Sequence, residues 1–112
     1  ARRLLSLKRP VPEMLQHFIT VKYVADTPAE HRDEFCRRML ALKQSIAEIE
    51  QIEIGVDIVG EARSWSLLIK LVVADVDALV RYQQHPDHQA VIKFNAPYVA
   101  DVGVIDFEQL LA

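Results

Sequence analysis

Leu15 to Tyr23 alternates between two faces. Leu15, His17, Ile19 and Val21 fall on one side, and Gln16, Phe18, Thr20 and Lys22 on the other. That period of two predicts a strand. His17 lies on the more apolar side, the side expected to face helices. The period then changes. Thr27-Pro28-Ala29-Glu30 reads as a helix start: Thr27 as N-cap, Pro28 at the first helical position, Glu30 completing a capping box. Phe35, Met39, Leu42, Ile46 and Ile49 recur at spacings of four and three. They predict one apolar stripe along a helix of about five turns. Glu30, Arg32, Asp33, Arg37, Lys43 and Glu48 occupy its other faces and read as solvated surface. His31, set among these charges, is expected to be solvated too.

Gln51 to Val59, rich in Ile and Val, predicts a second strand. Gly60 to Arg63 predicts a turn, and Ser64 to Val73 a third strand. Much of that third strand is apolar on both sides, so both of its faces must be covered. Helices supply one cover. In a chain this short, a second subunit is the natural candidate for the other. Asp75 to Gln84 predicts a second helix. It should stop near His85, because a residue preceding proline is pushed out of helical geometry. Pro86 then opens a further short helix, Asn95-Ala96-Pro97 interrupts it, and Val102 to Phe107 predicts a fourth strand. The order is strand, helix, strand, strand, helix, strand. It predicts an α+β, ferredoxin-like fold: a four-stranded antiparallel sheet with helices on one face.

Composition narrows the function classes. The chain has 112 residues, enough for one domain and one core. Its formal net charge is −3, and Arg2, Arg3, Lys8 and Arg9 at the start leave the body more acidic still. No nucleic-acid surface is expected from such a body. The longest apolar run, Leu67 to Ala74 broken by Lys70, is too short to span a membrane. Cys36 is the single cysteine. It can form no internal disulfide, a reducing cytoplasm is the expected location, and the thiol reads as packed rather than reactive. Residues 1–13, basic and proline-punctuated, read as an N-terminal extension to a domain of residues 14–112. The extension's apolar stretch is too short for a signal-peptide core.

Candidate chemistry concentrates in Tyr82-Gln83-Gln84-His85-Pro86-Asp87-His88. A phenol and two imidazoles are groups that can move a proton near neutral pH. His85 and His88 also have a spacing that recurs in metal sites. Pro86 breaks the helix that would turn both rings the same way, so no metal is expected.

Four segments together resemble the stress-responsive A/B barrel (Dabb) family. They are His17-Phe18-Ile19-Thr20-Val21-Lys22-Tyr23, Gly55-Val56-Asp57, Tyr82-x-x-His85-Pro86-x-His88 and Val104-Ile105-Asp106-Phe107, in order over residues 14–108. The chain departs from the pattern at Ala62-Arg63-Ser64-Trp65, where relatives often carry a glycine and an aromatic; only Trp65 fits. The resemblance implies a homodimer, a dimeric α+β barrel formed when two open sheet faces meet. A plant polyketide cyclase of that family works without a cofactor. By that likeness His88 is the general base and Tyr82 the assisting hydrogen-bond donor, with His17, His85 and Asp106 around the substrate. No cofactor is implied.

Read as residues alone, the same segment fits a purely structural role. The Tyr82 ring would pack, and a histidine before proline would cap the following helix. Asp106 fits a structural role equally well. Three functions therefore stand side by side: a cofactor-free cyclase or lyase, a small-molecule binding dimer without turnover, and a stress-associated structural dimer. A polar-lined cavity holding Tyr82 and His88 favours the first two; a space filled by side chains favours the third.

Overall fold

The structure, a computed structural model, describes residues 14–110. The N-terminal extension expected over residues 1–13 lies outside them. Strand β1 is Leu15–Tyr23, helix α1 Ala29–Ser45, β2 Gln51–Val56, β3 Leu67–Val73, α2 Val76–Gln84, α3 Pro86–Asn95 and β4 Val99–Glu108. A single 3-10 turn, Ala96–Tyr98, joins α3 to β4. The sheet is four-stranded in the order β2-β3-β1-β4. Each neighbouring pair runs antiparallel. This is the ferredoxin-like architecture that the element order predicts.

The core lies between the sheet and the helices. Leu15 and Val21 of β1 and Leu67, Ile69, Leu71 and Val73 of β3 meet Phe35, Met39 and Leu42 of α1 there. Strict alternation in β3, with every second residue buried, places Leu68, Lys70 and Val72 on the opposite face. Among the described residues, no helix lies over that second face. Phe18 meets Phe107 edge-to-face at 5.0 Å on it, beside Ile105.

Several boundaries differ from expectation. Helix α1 begins at Ala29 with Pro28 as its cap residue, and no side chain caps it. Thr27 Oγ1 instead donates back to the Val24 carbonyl at 2.7 Å, so the capping box does not form. The apolar stripe continues past the helix: Ile46 and Ile49 are buried although α1 ends at Ser45. Strand β2 stops at Val56 rather than Val59. Asp57 Oδ2 accepts from the Gly60 backbone N–H at 2.7 Å, and Gly60 takes a left-handed φ of +72°. This turn throws Ile58 out to 95% exposure. Lys22 Nζ reaches from β1 to tie down the same loop through the carbonyls of Ala62 and Ser64. Strand β4 runs longer than expected, from Val99, because it continues straight out of the 3-10 turn.

Candidate functional site

Between the sheet and α3 lies a cavity of about 490 Å³. Its walls are mainly Ile, Val, Phe and Met side chains, and among the described residues no Lys, Arg, Asp or Glu lines it. The polar side chains among its walls are His17, Tyr82, Gln83, His88 and Asn95. Tyr82 closes α2 and His88 stands in the first turns of α3. In one continuous helix, residues six apart would point about 240° from each other. The break at His85, extended at φ −64° and ψ 132°, folds the chain so that the two rings meet, with centroids 4.3 Å apart.

Tyr82 is completely buried. Its hydroxyl is the single enclosed side-chain polar atom without a hydrogen-bond partner among the described residues. Burial holds the phenol's pKa well above its ordinary value, so it stays protonated and able to donate. His88 is half-buried, and its Nδ1–H donates to the Gln83 carbonyl at 3.2 Å. A carbonyl only accepts, so Nδ1 carries the proton and Nε2 keeps its lone pair when the ring is neutral. Burial depresses the His88 pKa below 6.5, with smaller downward pushes from His17 and His85 and an opposing one from the Gln83 bond. The ring is therefore neutral at pH 7, the state a base requires.

His17 is 5% exposed on the helix-facing side of β1, as its place in the alternation predicts. Its ring meets Tyr82 edge-on at 6.3 Å. Asp106 lies directly opposite it in the β1–β4 register and holds its Nδ1. Asp106 thus orients His17 and does not itself line the cavity. His85 is not brought to the cavity walls either. Its Nδ1 accepts from the Asp87 backbone N–H at 3.1 Å and caps α3. Among the described residues, no three His, Cys, Asp or Glu side chains converge as a metal site would need. No helix among them is long and apolar enough to cross a membrane. Cys36 is half-buried, and burial raises its thiol pKa, which leaves it unreactive.

A family model for the stress-responsive A/B barrel domain matches residues 15–109. The chain belongs to the Dabb family. Solved structures agree on the fold. A dimeric protein of unknown function with a ferredoxin-like fold, from Bacteroides fragilis, is 25% identical with a TM-score of 0.77, over 86% of this chain and 96% of that one. A Dabb-family protein with a ferredoxin-like fold from Mesorhizobium loti is 20% identical with a TM-score of 0.70, over 85% and 95%. A hydroxynitrile lyase from Passiflora edulis is 16% identical with a TM-score of 0.77, over 88% and 94%. Among curated proteins, none matches the chain in sequence.

Two residues of this Dabb domain escaped the sequence reading. Asn95, at the end of α3, is 3% exposed and lines the cavity. Its Oδ1 receives the Tyr23 hydroxyl at 2.7 Å and meets His31 Nε2 at 2.9 Å. His31 is not the solvated residue expected. It is half-buried, stacked on Phe94 at 4.7 Å and tilted against Tyr98 at 4.0 Å. Its charged neighbours along α1 misdirect, because those rings come from α3 and the 3-10 turn. Asn95 left a usable signal: His88, Ile92 and Asn95 follow the four-then-three spacing of one helix face.

Proposed function

We propose that this chain forms a homodimer whose protomers each carry a cofactor-free active site for aldol-type making or breaking of carbon–carbon bonds in small, uncharged carbonyl compounds. The observation that carries the reading is the Tyr82 hydroxyl: buried, without a protein partner, and beside a neutral His88 in an apolar cavity. An unpartnered buried hydroxyl is costly, and a ligand oxygen would relieve that cost. His88 Nε2 takes a proton from the carbon next to a carbonyl. The charge moves to the carbonyl oxygen, where Tyr82 Oη–H donates a hydrogen bond. The resulting carbanion adds to a second carbonyl carbon, and the new alkoxide takes its proton back from the His88 imidazolium. Cleavage runs the same steps in reverse. His17, held by Asp106, packs against the Tyr82 ring and fixes its position. The lyase among the structural neighbours is consistent with this chemistry.

The dimer reading rests on the uncovered sheet face, where Phe18, Phe107, Leu68, Val72 and Ile105 form an apolar surface. A dimeric neighbour of the same fold supports it.

The test is proton exchange, which needs no knowledge of the natural substrate. Para-diacetylbenzene is neutral and carries two enolisable acetyl groups. Deuterium uptake into its methyl groups is followed by NMR in deuterated buffer with the purified protein. We expect uptake well above buffer. His88→Ala should lower it by about a hundredfold or more, the scale of general base catalysis. Tyr82→Phe should cost about a hundredfold to a thousandfold, since one oxyanion donor is lost. Wild-type uptake at the buffer rate, or uptake indifferent to His88→Ala, would overturn the catalytic reading.

A further inference from the structure

Tyr82 and His88 occupy one end of the cavity. Asn95 lies seven residues beyond His88 on the same helix face, about 10 Å of helical rise away. Its carboxamide has two halves with different fates. The oxygen is engaged by Tyr23 Oη at 2.7 Å and by His31 Nε2 at 2.9 Å. The Tyr23 phenol is held protonated, with burial pushing its pKa up to about 12, so it donates. These bonds fix which way the amide faces. The nitrogen has no hydrogen-bond partner among the described residues. It is not among the enclosed side-chain atoms that lack a partner, so it keeps some open surface. Asn95 is nonetheless 97% buried by its 3% exposure, and the space it borders is the cavity. A buried amide N–H₂ with its orientation set from behind is a donor waiting for an acceptor.

We propose that Asn95 Nδ2 is the second recognition point of this cavity, donating to a carbonyl oxygen at the end of the ligand away from Tyr82. The inference rests on the ligand-binding half of the function proposed above, and not on turnover. It also specifies the ligand. Among the described residues, no Lys or Arg lines the cavity. A carboxylate would enter without a counter-charge, so the site selects an uncharged molecule with two separated carbonyl oxygens on an apolar body. One oxygen meets Tyr82 Oη and the other Asn95 Nδ2.

The test compares two probes of one shape. Para-diacetylbenzene carries two carbonyls; para-isopropylacetophenone carries one. Each is titrated into the isotope-labelled full chain by NMR, reading the side-chain amide signals of Asn95 and the ring signals of Tyr82 and His88. We expect the diketone to shift the Asn95 amide signals and to bind about three- to tenfold tighter than the monoketone, the span of one neutral hydrogen bond. Asn95→Asp keeps an oxygen for Tyr23 and His31 but puts an acceptor where the donor was. It should abolish that preference, bringing the two affinities together. Asn95→Leu, if it folds, should do the same. If the diketone shifts Tyr82 and His88 while the Asn95 amide stays still and the preference survives Asn95→Asp, the inference fails and the cavity reading stands. If neither probe shifts any of the three residues, the cavity reading fails and the inference with it.

Discussion

Replacing Tyr82 by Phe removes one oxygen and leaves the ring in place. Where a buried tyrosine hydroxyl is bonded, this change ordinarily costs about 1 kcal/mol. Here the hydroxyl is enclosed and has no partner among the described residues. Folding strips its water and returns nothing, at a cost of about 1–3 kcal/mol. Losing the oxygen's dispersion contacts takes back only a fraction of a kcal/mol. Tyr82→Phe should therefore stabilise the protein by about 1 kcal/mol or more, raising Tm by about 4–8 °C for a domain this size. The same substitution should cut proton exchange into para-diacetylbenzene. Urea denaturation checks the first half, with wild type and variant at one protein concentration, because a dimer's midpoint moves with concentration. A gain in stability with a loss of exchange marks a hydroxyl kept for a ligand. A variant destabilised by about 1 kcal/mol or more would refute the reasoning, since it would show that the hydroxyl already holds a bond worth keeping.

Acid should weaken the fold through His88. Its pKa is depressed below 6.5, so just below pH 6.5 the unfolded chain binds more protons than the folded one. The His88 contribution is thus complete above that value and lost as pH falls through the depressed pKa. His88→Gln should flatten this slope in denaturation midpoints measured across that range, and an unchanged slope would remove His88 as the cause. Gly103 sits where a Cβ would come 2.7 Å from Thr20 Oγ1 and 3.5 Å from the Trp65 ring. Gly103→Ala should cost about 1–3 kcal/mol through overpacking, read by the same denaturation; a neutral variant would mean Thr20 rotates away freely. Phe18→Asp or Phe107→Asp should convert the proposed dimer to monomer in light scattering after size-exclusion chromatography, whereas intact dimers would place the interface elsewhere.

The fold was legible because its signals are local and periodic. The alternation in β1 located His17 on the helix-facing side, and the proline rule placed the break between α2 and α3 at His85. Errors arose where a side chain had several backbone groups to choose from, or where its partners are distant in sequence. The Thr27 hydroxyl bonds Val24 rather than the helix N-terminus, a choice that composition does not encode. Ile58 and Val59 have strand-forming side chains, yet the turn made by Asp57 and Gly60 removes them from the ladder. His31 reads as surface because its sequence neighbours are charged, while Phe94 and Tyr98, the rings stacked and tilted against it, lie some 60 residues away. Of the site, Tyr82, His88, His17 and Asp106 were each singled out in sequence. Their pairing was not: Asp106 holds the His17 ring, and Asn95 was announced only by the spacing it shares with His88 and Ile92, whereas the cap made by His85 followed from its place before proline.

The proline break has a consequence for how this protein can change. Tyr82 and His88 meet because of a turn written within seven consecutive residues, so the pair is specified locally. The cavity walls come from β1, α1, β3, α2, α3 and β4, elements spread over nearly the whole chain. Inheritance of the proton-handling pair and inheritance of ligand choice are therefore separable. Substitutions at Ile19, Val102 or Val104 can reshape what the cavity accepts and leave the heptapeptide untouched. A lineage could retarget such a domain, or let its chemistry lapse into simple binding, without rewriting the segment by which it is recognised.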